Sequence, residues 1–92
     1  MEHREFDTVN LEIAGELDYT LARKIADEVA ENKLAEPMIL AWYDGIKEEE
    51  HPEVPECQHK PGWIAYAEGH GGKLQVNVNK DMFSFIYRDG NS

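Results

Sequence analysis

The stretch DYTLARKIADEVAENK, residues 18–33, decides the fold class. Leu21, Ala22, Ile25, Ala26, Val29 and Ala30 recur at spacings of three and four. They make one apolar stripe along a helix. Arg23, Lys24, Asp27, Glu28 and Glu31 fall on the other side. Asp18 or Thr20 supplies a side-chain oxygen to cap the first turn, and Lys33 suits the dipole at the far end. Pro37 stops the helix from continuing. The stripe is rich in alanine, so the helix packs close to the layer beneath it.

That layer is a sheet. Upstream, TVNLEIA (8–14) alternates Val9, Leu11 and Ile13 with Thr8, Asn10 and Glu12, a period of two that ends at Gly15. Downstream, PMILAWY (37–43) is apolar throughout, as in a strand covered on both faces, and Asp44-Gly45 marks a turn. GWIAYAE (62–68) reads as a strand, with Trp63, Ala65 and Ala67 opposite Ile64 and Tyr66. Gly69-His70-Gly71-Gly72 then reads as a hairpin turn into KLQVNVN (73–79), where Leu74, Val76 and Val78 alternate with Gln75, Asn77 and Asn79. MFSFIYR (82–88) fits either period, and its aromatic content favours a strand after an Asn79-Lys80-Asp81 turn. Residues 47–61, KEEEHPEVPECQHKP, have no period, three prolines and five acids, and read as a loop. A loop of this length in a small domain is either functional or disordered.

The expected fold is α+β, a two-layer sandwich with one helix on a mostly antiparallel sheet of four or five strands, in the order β-α-β-β-β-β. The 92 residues are expected to form a single small domain, 1–92, with an acidic proline-containing loop at about 47–61. One helix covers one face of such a sheet. The runs at 37–43, 62–68 and 82–88 carry large groups on both parities, more apolar surface than that helix hides. A homodimer joined through the uncovered face is therefore expected.

Charge narrows the partners. The chain has 19 acidic and 9 basic residues, a formal −10. The excess is local, with 10 acids against 4 bases in residues 1–36, 6 against 2 in 37–60, and 3 against 3 in 61–92. Such a field repels phosphate backbones and anionic lipid, so neither nucleic acid nor membrane is an expected partner. A basic protein partner docking on the acidic loop is compatible with it. No apolar run approaches the length of a bilayer-spanning helix. The opening MEHREFD lacks the order of an export signal, and a single cysteine excludes an internal disulfide. Both point to the cytoplasm.

Several residue groups have chemical potential. His51, Cys57, His59 and His70 are ligands suited to zinc, and Cys57 and His59 are spaced to point to one side of an extended chain. Their spacing matches neither paired-cysteine nor H-E-x-x-H patterns. Glu48, Glu49, Glu50, Glu53, Glu56 and Asp44 form an acidic cluster that reads as a solvated surface. Cys57 lacks the basic surroundings that activate a thiol. Gly69 to Lys73 departs from the phosphate-loop pattern, with Ala67 where its first glycine belongs and Leu74 after the lysine. Gln75, Asn77 and Asn79 line one strand face, where amides in a row either meet solvent or read a polar ligand, with Trp42 and Trp63 as candidate pocket walls. No catalytic residue and no cofactor-binding motif stands out. The functional expectation is a small cytoplasmic protein-interaction or regulatory module acting as a homodimer. The alternatives are a zinc-type metal-binding protein using the loop residues, or an enzyme whose site assembles across the dimer interface.

Overall fold

The computed structural model describes residues 6–55, 60–80 and 82–90. Five strands and two helices follow in chain order: β1 (Asp7–Leu11), α1 (Tyr19–Lys33), β2 (Pro37–Asp44), β3 (Glu49–His51), α2 (Gly62–Gly69), β4 (Leu74–Val78) and β5 (Phe83–Asp89). The strands form one sheet in the order β1-β4-β5-β2-β3. β1 and β4 run parallel; every other pair is antiparallel. The expected α+β sandwich on a mostly antiparallel sheet is therefore present. The β4–β5 hairpin is inserted between β1 and β2, which α1 connects.

α1 forms as its sequence dictates. The Asp18 carboxylate accepts a hydrogen bond from the backbone N–H of Leu21 at 2.9 Å. Ala22, Ala26 and Ala30 are fully buried against the sheet. Beneath them lie Leu74, Val76, Val78, Phe83, Phe85 and Tyr87, the alternate residues of β4 and β5. Because the fully buried residues of the helix are alanines, the sheet's own aromatics fill most of the layer. A polar chain pins the helix from the side. The Tyr87 hydroxyl donates to Asp27 Oδ1 at 2.6 Å, Arg23 Nε donates to the same oxygen at 3.0 Å, and the Arg23 guanidinium reaches the Tyr19 hydroxyl at 3.1 Å.

The β4–β5 turn follows the sequence reading. Asn79 and Lys80 adopt left-handed backbone conformations, with φ of 52° and 61°. The Asn79 amide accepts from the Ile13 N–H at 2.7 Å and donates to the Ile13 carbonyl at 3.1 Å, which ties the turn to the chain after β1. At the β2–β3 turn, the buried Asp44 carboxylate accepts from the N–H groups of Ile46 and Lys47. β3 itself is a three-residue strand inside the stretch expected as loop, with Trp42, Tyr43 and Asp44 opposite His51, Glu50 and Glu49.

One element differs in kind. Residues 62–68 form the helix α2, where the sequence reading expects a strand. Every residue from Trp63 to Ala67 is apolar, so neither period is marked. Two alanines in the segment favour the helix. The Pro61 carbonyl accepts from the N–H groups of both Ile64 and Ala65 at 3.1 Å, and proline is well suited to a helix start. The following glycines end this helix and do not turn a hairpin. The Gly72 N–H donates to the Ala67 carbonyl at 2.9 Å, and Gly71 has φ of 87°. α2 lies on the face opposite α1, where Trp63 and Ala67 pack with Ala41 and Ile86. It occupies much of the apolar surface that suggested a second copy. Gly62 at its start is required by close approach, because a Cβ there would collide with the backbone carbonyls of Val54 and Pro55.

Candidate functional site

α2 covers only the β2 side of its face. Beside it the sheet is polar, and the register explains how that floor is built. Glu50 of β3 pairs with Tyr43 of β2, Tyr43 with Ser84 of β5, Ser84 with Asn77 of β4, and Asn77 with Asn10 of β1. One residue from each of the five strands thus forms a single row across the sheet.

The centre of the row is internally bonded. Ser84 Oγ donates to Asn77 Oδ1 at 2.6 Å. Gln75 Nε2, one step along β4, donates to Asn77 Oδ1 and to Ser84 Oγ, each at 3.0 Å. Asn77 Nδ2 donates to Asn10 Oδ1 at 3.0 Å. These bonds use both hydrogens of the Gln75 amide and both lone-pair directions of Asn77 Oδ1. They leave Gln75 Oε1, the second N–H of Asn77 and a lone pair of Ser84 unused by side-chain hydrogen bonds among the described residues. The floor therefore presents fixed donors and acceptors.

The wall of the site comes from α2. Trp63 is only 6% exposed and stacks on Tyr43 with centroids 5.8 Å apart and planes 12° apart. Pro61 and Ile64 extend this surface, and Glu50 and Lys80 complete the lining of a cleft of about 560 Å³. That size and mixed lining suit a small organic ligand. Among the described residues Ser84 has no histidine or carboxylate bonded to its hydroxyl, which donates to an amide. A serine nucleophile needs such a base.

The metal candidates are placed differently. His51 stacks on Trp42, with centroids 5.8 Å apart, and Trp42 packs with Tyr19 on the α1 face. His70 stacks on Tyr66 at 3.9 Å, and its Nδ1 lies 2.8 Å from the Tyr66 carbonyl, on the α2 face. The two histidines thus stand on opposite faces of the sheet. Cys57 and His59 lie outside the described residues, as does Glu56. Among the described residues no three metal-ligating side chains come together. Of the acidic cluster, Asp44 caps a turn, Glu48, Glu49 and Glu53 are exposed, and Glu50 lines the cleft.

A family model described as a domain of unknown function (DUF5619) matches residues 6–87. The chain belongs to that family. The match spans every element that builds the cleft. Among solved structures, the chain is similar to the protein AF1514 from Archeoglobus fulgidus DSM 4304. The two share 27% identity with a TM-score of 0.79, over 92% of this chain and 95% of that one. No curated protein matches.

The amide row was half legible in the sequence. Gln75 and Asn77 share the floor, whereas Asn79 leaves it to bond the backbone of Ile13. Trp63 forms the wall, but Trp42 belongs to the other face. Tyr43, Ser84, Lys80 and Asn10 carried no signal of their own. Strand register brings three of them together, and register is not written in any one segment.

Proposed function

We propose that this protein is a small recognition module that holds a small organic ligand in the cleft between α2 and the polar row. The prebonded group of Gln75, Asn77 and Ser84 facing the Tyr43–Trp63 wall supports this reading most directly. Fixed polar atoms beside an apolar wall orient a ligand without first paying to order the site. A regulatory role follows from that design, in which occupancy of the cleft alters what the domain contacts. The test is a small-fragment screen read by two-dimensional NMR. Shifts concentrated on the side-chain amides of Gln75 and Asn77 and the indole of Trp63 are expected. Hits that map only elsewhere overturn the reading.

Two further parts of the functional expectation remain as proposals. The single cysteine supports a cytoplasmic setting, and no helix among the described residues is long and apolar enough to cross a membrane. Association of two copies is supported by β1, whose outer edge has no neighbouring strand among the described residues. Sedimentation is expected to show a species of twice the 10.5 kDa chain mass. A monomer at all micromolar concentrations removes the dimer.

A further inference from the structure

The cleft carries two opposite charges on a neutral polar floor. Glu50 stands on β3 at one end of the row, and Lys80 in the turn after β4. Neither side chain forms an ion pair or hydrogen bond with a described residue, although both residues line the same space. Their backbones are offset by two to three strand spacings across the sheet, roughly 10–14 Å, and by about three residues along the strands, up to roughly 10 Å, because Lys80 follows Asn77 of the row by three positions. Both side chains are long. Reaching inward, they leave a gap that a few bonds of a ligand can span.

We infer that the ligand is a small zwitterion of the amino-acid type, with its ammonium at Glu50, its carboxylate at Lys80 and an apolar side chain against Trp63, Ile64 and Pro61. This rests on the cleft reading above and names its ligand class. Three observations select a zwitterion. A purely anionic ligand meets the long-range repulsion of a chain with formal charge −10, whereas a neutral zwitterion does not. A purely cationic ligand pairs with Glu50 but leaves Lys80 as an uncompensated like charge on the same cleft. Tyr43, opposite Glu50 in the register and lining the same cleft, places an aromatic ring beside the ammonium position, with one face already stacked on Trp63. The unused Gln75 Oε1 and Asn77 N–H, on residues that line the cleft, then serve as acceptor and donor for the polar atoms between the two charges.

The chain has two tryptophans, and Trp42 lies on the other face. In a Trp42→Phe background, Trp63 fluorescence therefore reports on the cleft alone. The free amino acids are titrated to about 10 mM, together with the N-acetyl and amide derivatives of the best binder. Saturable binding of at least one apolar amino acid is expected. Blocking either end should weaken it at least about tenfold, the effect of losing one charge-assisted contact. Glu50→Gln should largely abolish the penalty of N-acetylation, and Lys80→Met that of amidation. Saturable binding with these crossed effects supports the inference. No binding by any free amino acid, or equal binding of blocked and free forms, overturns it. If the fragment screen still finds uncharged ligands in the cleft, only the zwitterion falls. If it finds none there, the cleft reading falls as well.

Discussion

The two faces of the sheet are built from the same strands in opposite ways. The α1 face is dry: three fully buried alanines of α1 lie over phenylalanine, valine, leucine and tyrosine side chains. The α2 face is divided. Ala41 and Ile86 are sealed under a short helix, while Gln75, Asn77 and Ser84 lie beside it in an open cleft. Packing is complete on the α1 face, whereas on the α2 face a row of polar groups is hydrogen-bonded but uncovered, which is where the proposed recognition would take place. Strand alternation makes this possible, because each strand offers one parity to each task.

The sharpest way to break the comparison is to damage the dry face. Phe85 is fully buried beneath α1 and touches the Tyr19 ring, with centroids 5.7 Å apart. Phe85→Ala is expected to cost about 3–5 kcal/mol in denaturant unfolding, a large share of a small domain's stability. Next comes the seam where α2 meets the preceding loop. Gly62→Ala drives a Cβ into the Val54 and Pro55 carbonyls. Those backbone atoms cannot simply rotate away, so a loss of about 1–3 kcal/mol is expected by the same measurement. α2 is also predicted to shift, which Trp63 emission would report.

A smaller effect tests the polar pin beside the dry face. Burial and the hydrogen bond to Asp27 push the Tyr87 phenol above its ordinary 10.0. The unfolded chain then gives up this proton before the folded one. The resulting stabilisation is complete below pH 10 and declines as pH rises further. Tyr87→Phe is expected to cost about 1 kcal/mol at neutral pH, because Asp27 keeps Arg23 as a partner. The substitution should also flatten the alkaline decline in melting temperature. An unchanged alkaline profile would place the sensitivity at another group.

These expectations also mark what was legible in the sequence. α1 was legible because its charged and apolar residues separate at a helical period, and Asp18 and Pro37 bracket it. β4 was legible because Leu74, Val76 and Val78 alternate with amides. α2 was not, because an unbroken apolar run has no period to betray it. That single misreading hid the site: with a strand at 62–68, nothing forms a wall beside Gln75 and Asn77. The row itself needed the long-range pairings of β1 with β4 and of β2 with β5, which no local pattern encodes.

The smallest expected effect on stability discriminates most between the faces. In the double substitution Gln75→Val with Asn77→Val, both partners of a hydrogen bond leave together, so no amide is stranded against the other. Valine also suits a strand better than either amide. Ser84 loses its acceptor but is free to turn its hydroxyl to the open cleft, and Asn10 is exposed. The net change in unfolding free energy should stay within about 0.5 kcal/mol. Ligand shifts at Trp63 should nevertheless vanish, since the floor no longer offers a fixed donor or acceptor. A destabilisation approaching that of Phe85→Ala would mean that the row is part of the fold's support. Its polar character would then be architectural, and the contrast between a packed face and a recognising face would be lost.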